Sequence, residues 1–197
     1  VAYSIATLLA SRRGHFRMES GYHSGSWFEL GTLFDHPDDL QTFVSELARR
    51  VSSHRVEAVC GPMTGGAKLA ELIAIELGVE HVAADRFETP EATELFPVRY
   101  VIPEAQRQKV RGRTVAIVDD AISAGSAVRG TYTDLIACGA RPVALGALIV
   151  FGDAAAVFAA RTGLALERLE QMTLDMWQPS ECPLCKAGIA VEAVAAR

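Results

Sequence analysis

Asp119 and Asp120 stand side by side after the apolar run Val115-Ala116-Ile117-Val118, and Ala121-Ile122-Ser123-Ala124-Gly125-Ser126-Ala127 follows them. Adjacent carboxylates can accept hydrogen bonds from vicinal hydroxyls such as those of a ribose. A hydroxyl- and glycine-rich turn that opens a helix offers N–H groups and hydroxyls to an anion. The two together suit a sugar phosphate. One acid at a strand end before a helix is common in α/β proteins, but paired acids followed by Ser-Ala-Gly-Ser are a much narrower pattern. The segment is not a Walker A loop, because no Gly-Lys-Ser or Gly-Lys-Thr closes it. The three-glycine dinucleotide fingerprint is absent as well.

A second segment, Gly61-Pro62-Met63-Thr64-Gly65-Gly66, lies between the apolar stretch Val56–Cys60 and a helical pattern. Glycine lets backbone N–H groups approach an anion closely, so Thr64, Gly65 and Gly66 suit a pyrophosphate. Gly-Pro and Gly-Gly also make ordinary turns, and taken alone this segment supports either reading. Lys68 reads as a surface lysine of the following helix.

The elements that must position these loops alternate. A short helix is expected over Ala2–Ala10, loop and short strand over Gly14–Phe28, and a helix from Asp38 or Asp39 to about Val51. Strand Val56–Cys60, helix Ala67–Leu77 with Gly78 as its stop, and strand Val79–Ala83 follow. Asp85–Pro97 is polar with two prolines and reads as a mobile loop. Strand Val98–Ile102, strand Thr114–Asp119, helix Ser126–Cys138, strand Pro142–Phe151 and helix Asp153–Ala160 complete the pattern; the tail from Leu164 has no clear assignment. Alternation of this kind predicts an α/β fold, a parallel sheet with helices on both faces and ligands at the carboxyl ends of its strands.

Composition bounds the function classes. The chain has 197 residues, half of them hydrophobic, with a net charge of −5. That length suits one domain with appendages. The acidic balance argues against a broad nucleic-acid surface, and no apolar run is long enough to span a membrane. Arg12 and Arg13 follow the first apolar segment, the reverse of a signal peptide's order, so a cytoplasmic protein is expected. Four cysteines in a chain this long do not suggest a disulfide framework. Cys182-Pro183-Leu184-Cys185 has the spacing of half a zinc site, but no histidine neighbours it in sequence. A structural turn is therefore expected there, and no protein metal ligand is assigned.

The Asp119–Ala127 stretch resembles the ribose-phosphate signature of the type I phosphoribosyltransferases. Gly14-His15-Phe16, Ser20-Gly21-Tyr22-His23-Ser24 and the Gly61–Gly66 loop, in that order, narrow the resemblance to the orotate phosphoribosyltransferases. The tail Glu181–Gly188 looks like one found in some members. The resemblance implies a type I phosphoribosyltransferase-like parallel sheet core over about 36–165, a small hood over about 1–35 and a C-terminal tail over about 166–197, all in one domain.

It also implies the reaction of orotate with 5-phosphoribosyl-1-pyrophosphate and Mg²⁺ to give orotidine 5′-monophosphate and pyrophosphate, in a homodimer. Asp119 and Asp120 would fix the ribose, Ala121 to Ala127 the 5′-phosphate, and Phe16, Ser20 and His23 would lie near the base. Arg129 falls where the family places an arginine facing orotate; an exposed helical arginine is the plainer reading. Family members close a basic loop over pyrophosphate. Here Asp85–Glu94 has one arginine, Arg86, and four acids, so Arg86 or Arg99 would supply the cation. Gly65 replaces a lysine of some members. A phosphoribosyltransferase for another base and a non-catalytic phosphoribosyl-ligand sensor are the alternatives.

Overall fold

Local sequence accounts for the principal helix and strands. The computed structural model describes residues 4–88 and 95–193. Helix α1 (Pro37–Ser52) starts with proline in its first turn, followed by Asp38 and Asp39, and ends with Arg49 and Arg50. Each charge opposes the helix dipole at its own end. Leu40, Val44, Leu47, Ala48 and Val51 form its buried stripe.

Strands β3 (Ala58–Pro62), β4 (Glu80–Glu88), β5 (Val98–Val101), β6 (Thr114–Ile122), β7 (Arg141–Phe151) and β8 (Ala165–Met172) form one sheet in the order β5-β4-β3-β6-β7-β8. All neighbours pair parallel except β4 and β5. Helices α2 (Gly65–Leu77), α3 (Ser126–Ala137) and α4 (Ala154–Thr162) complete the layers. Side chains of β6 alternate between the two cores, as a doubly covered strand requires. Val115 and Ile117 pack with Val128, Leu135 and Phe158. Ala116 and Val118 pack with Val44, Leu47, Leu69 and Ile73 on the other face. The expected parallel α/β core is present, and β6 sits between β3 and β7 so that both glycine-bearing loops emerge from adjacent strands.

Several expectations change. Only Ile5–Leu8 of the first predicted helix is helical, as a 3-10 turn, and residues 1–3 lie outside the described residues. The 14–28 segment is not mainly loop. Strands β1 (Ala10–Arg17) and β2 (His23–Glu29) form an antiparallel hairpin, and β9 (Met176–Trp177) joins it from the tail. The pairing comes from a segment over 150 residues away, which the local pattern cannot register. Strand β4 runs on to Glu88 because β5 pairs with it; of the predicted mobile loop, 89–94 lie outside the described residues. The sheet also continues past residue 165, since β8 pairs with β7 along its length. Its charged residues suit an edge strand. The remaining tail carries the one-turn helix α5 (Pro183–Lys186).

Candidate functional site

Asp119 and Asp120 occupy the carboxyl end of β6 and are 7% and 8% exposed. Their carboxylates brace the local turn: Asp119 Oδ1 accepts from the Asp120 N–H at 3.1 Å, and Asp120 Oδ1 accepts from the Ala121 N–H at 2.8 Å. Burial, reinforced by the adjacent Asp120 charge, pushes the Asp119 carboxyl well above the usual carboxylate range. A buried acidic pair of this kind suits bound hydroxyls or a hard cation.

The following turn ends at Gly125, whose φ of +81° requires glycine, and Gly125 caps α3 without a side chain. The first-turn N–H groups of α3 are thus left for a ligand. The second loop closes on the first. A Cβ on Gly65 would collide with the Asp120 carboxylate, and one on Gly66 would come within 2.7 Å of Asp119 Oδ1. Any side chain at position 65 would therefore displace Asp120.

Both loops open into one cavity of about 680 Å³. Asp119, Asp120, Ala121, Ile122, Ser123 and Gly125 line it, as do Ser126 and Ala127. Thr64 and Gly65 come from the opposite loop, Ser20 from the hood and Arg86 from β4. Six other predicted residues do not line it: Gly66, Ala124, Phe16, His23, Arg99 and Arg129. Gly66 packs behind Asp119, Ala124 is buried, and Phe16 is fully buried with its ring 6.0 Å from Trp27. His23 is buried and faces His15, its Nδ1 lying 2.9 Å from His15 Nε2. Burial within the hairpin removes Phe16 and His23 from direct contact with a ligand here.

The guanidinium of Arg129 lies 4.9 Å from the Phe158 ring centroid and 5.9 Å from that of Phe96. Its Nε is buried without a hydrogen-bond partner among the described residues, beside Gly125. Arg99 is exposed on β5 and does not line the cavity.

The chain matches the phosphoribosyl transferase domain model over residues 32–162. The chain belongs to the phosphoribosyltransferase family. It is 31% identical over 183 residues to an orotate phosphoribosyltransferase of Thermotoga maritima, spanning 93% of this chain and 90% of that one. The crystal structure of an orotate phosphoribosyltransferase from Aeropyrum pernix shares the fold with a TM-score of 0.62 at 23% identity, over 83% of this chain and 88% of that chain. An adenine phosphoribosyltransferase from Rhodothermus marinus has a TM-score of 0.67 at 14% identity, over 85% and 96% of the two chains.

Within this phosphoribosyltransferase, two cavity residues escaped the sequence reading. Glu19, at the hood tip, accepts hydrogen bonds from Arg86 Nε at 2.9 Å, the Tyr100 hydroxyl at 2.9 Å and the Ser126 hydroxyl at 3.0 Å. Arg86 also pairs with Glu88 at 2.5 Å. Nothing near Glu19 in sequence signals these partners, which come from β4, β5 and α3. Lys68 is exposed, as expected of a surface lysine, yet it also lines the cavity, and its Nζ lies 5.3 Å from the Phe34 ring centroid. Its place in the first turn after the glycine loop was the available signal. Among the described residues, no helix is long and apolar enough to cross a membrane.

Proposed function

We propose that this phosphoribosyltransferase transfers the phosphoribosyl group of 5-phosphoribosyl-1-pyrophosphate to orotate. The C1–O bond to pyrophosphate breaks, a ring nitrogen of orotate bonds to C1 and gives up its proton to the departing pyrophosphate or to water, and the products are orotidine 5′-monophosphate and pyrophosphate. The observation that carries this reading is the packing of Gly65 and Gly66 directly against Asp120 and Asp119. It sets the loop read as the pyrophosphate cradle next to the loop read as the ribose cradle, on one cavity. The orotate specificity rests on the relatives that match along nearly the whole chain, such as that of Thermotoga maritima.

In this reading Asp119 and Asp120 accept hydrogen bonds from the ribose hydroxyls. Ser123, Ser126 and the N–H groups at the start of α3 hold the 5′-phosphate. Thr64 and Gly65 contact the pyrophosphate through the backbone, with Gly66 packed behind them against Asp119 and Lys68 and Arg86 as nearby cations. Positive charge grows on the ribose ring as the leaving group departs. The carboxylates beneath it stabilise that charge, and positioning contributes much of the remaining acceleration.

Arg129 binds the base. An unsatisfied buried donor is costly, and an orotate oxygen arriving over Gly125 would relieve it. Ser20 shapes the hood side of the same space. The buried oxygen donors Asp119 and Asp120 fit Mg²⁺, which takes hard oxygen ligands, most of them from substrate and water. Bound there, the ion would neutralise charge on the leaving pyrophosphate. We further infer a cytoplasmic homodimer of one-domain chains, in keeping with the family resemblance.

The test is direct. Purified protein with orotate, 5-phosphoribosyl-1-pyrophosphate and Mg²⁺ is expected to consume orotate and release pyrophosphate stoichiometrically. Pyrophosphate release with another base, but not with orotate, would replace the base assignment. Ligand binding with no product at high enzyme concentration would identify a sensor instead.

A further inference from the structure

The reaction leaves one distinctive motif unused, Cys182-Pro183-Leu184-Cys185. In the fold these two cysteines meet two histidines from the other end of the chain. The ligand atoms of His15, His23, Cys182 and Cys185 all lie within 4.8 Å of one another. Cys182 Sγ is 3.5 Å and Cys185 Sγ 3.7 Å from His15 Nε2, and Cys185 Sγ is 3.2 Å from His23 Nδ1. Zinc–nitrogen and zinc–sulfur bonds of about 2.0–2.3 Å in a tetrahedron separate ligand atoms by roughly 3.3–3.8 Å. The observed spacings lie close to that range before any ion draws them to a common centre.

We propose that His15, His23, Cys182 and Cys185 bind one zinc ion, which pins the hood to the C-terminal tail. The surroundings support a built site. His15 Nδ1 lies 2.7 Å from the Ile189 carbonyl oxygen. A carbonyl only accepts, so Nδ1 carries the proton and the Nε2 lone pair faces the cysteines. Zinc-bound histidines are commonly oriented by an outer hydrogen bond of this kind. The carbonyl is delivered by the same turn that presents the thiols, since the Gly188 N–H bonds the Cys185 carbonyl at 3.0 Å and Gly188 has φ +71°.

His15, His23 and Cys182 are buried, while Cys185 is exposed and leaves a path for the ion. The donor set of two sulfurs and two nitrogens selects zinc over hard cations such as Mg²⁺. Zinc displaces one proton from each thiol, so two protons leave and the resulting centre has no net charge, which suits its burial.

The hairpin segment between the two histidines carries Arg17, Met18, Glu19 and Ser20 into the cavity. The metal would hold these residues in place without touching substrate, and would give the turn at the two cysteines a role beyond the purely structural one expected. The inference is independent of the base used.

Elemental analysis of the full chain, purified under reducing conditions, is expected to find one zinc per chain. Cobalt exchange should give a thiolate-to-metal charge-transfer band with the intense visible bands of tetrahedral cobalt. Outer-shell changes alone typically weaken zinc binding ~10–100-fold, so Cys185→Ser should lower affinity by ~100-fold or more. Cys138→Ala, in the core, should leave the affinity unchanged.

The proposal is overturned by wild-type protein that takes up no zinc from an equimolar solution with reductant present. A cobalt spectrum without thiolate bands would overturn it too, as would a folded Cys185→Ser protein with unaltered zinc affinity. The two wild-type measurements decide the matter if the variant does not fold. Zinc binding without orotate turnover, or turnover without zinc, separates this inference from the proposed reaction.

Discussion

The Glu19 carboxylate accepts a hydrogen bond from the Ser126 hydroxyl at 3.0 Å, joining the hood to the loop that should hold the 5′-phosphate. A carboxylate there repels an incoming phosphate and also occupies Arg86 at 2.9 Å. Phosphate binding must therefore displace it. Glu19→Gln removes the repulsion and loosens the hold on Arg86, which keeps its pair with Glu88, and is expected to tighten ribose 5-phosphate binding about tenfold, ~1.4 kcal/mol. Calorimetry at two salt concentrations checks it, because the gain should shrink as salt screens the partly exposed charges. Weaker binding by the variant would mean that Glu19 aids the ligand rather than competing with it.

Asp120→Asn retains the shape of the site but replaces a carboxylate with an amide. Hydrogen bonds to charged groups contribute about 1.5–3 kcal/mol, so ribose 5-phosphate should bind ~10–100-fold more weakly. Unchanged affinity by calorimetry would remove Asp120 from the ribose site.

Gly65→Ala places a methyl group against the Asp120 carboxylate. Overpacking of this kind costs about 1–3 kcal/mol, and the carboxylate must shift from the cavity wall. Turnover should fall by at least ~10-fold with the secondary structure intact. Activity assays paired with thermal melts would expose the opposite result, a variant as active as the parent.

Asp119 provides a pH test. Burial first, and then Asp120, raise its folded-state value above the ordinary carboxylate range. The folded chain thus holds this proton more tightly than the unfolded chain. The resulting stabilisation is complete at acidic pH and is lost as pH rises through the folded value. Asp119→Asn should therefore melt higher than the parent at neutral pH, by ~2–4 °C for each ~1 kcal/mol relieved. The gap should close as pH falls, and the variant should lose turnover. A lower melting temperature at neutral pH would show that the ionised carboxylate is already compensated.

Arg129→Met keeps much of the stacking on Phe158 but removes the buried Nε donor. The KM for orotate is expected to rise ~10-fold or more while ribose 5-phosphate affinity stays within about twofold. A loss confined to stability, with KM unchanged, would make Arg129 a packing residue.

The sequence by itself determined the chemistry that is contiguous in the chain. Val115–Val118 had to be a doubly buried strand, so Asp119 and Asp120 had to emerge at its end. Gly125 then had to turn the chain into α3. Hydrophobic periodicity and local backbone conformation encode all of this within about a dozen residues.

Tertiary structure decided what depends on distant partners. Glu19 meets Arg86, Tyr100 and Ser126 only after three elements converge. His23 does not face the base as expected, because the tail packs against the hairpin and buries it with His15 beside Cys182 and Cys185. The edge strand β8 and the hood strands lack a strong apolar pattern, since half of each faces solvent and pairing with a neighbour holds them in place. Residue types foretold which groups are capable of chemistry, while long-range packing chose the groups each one would face.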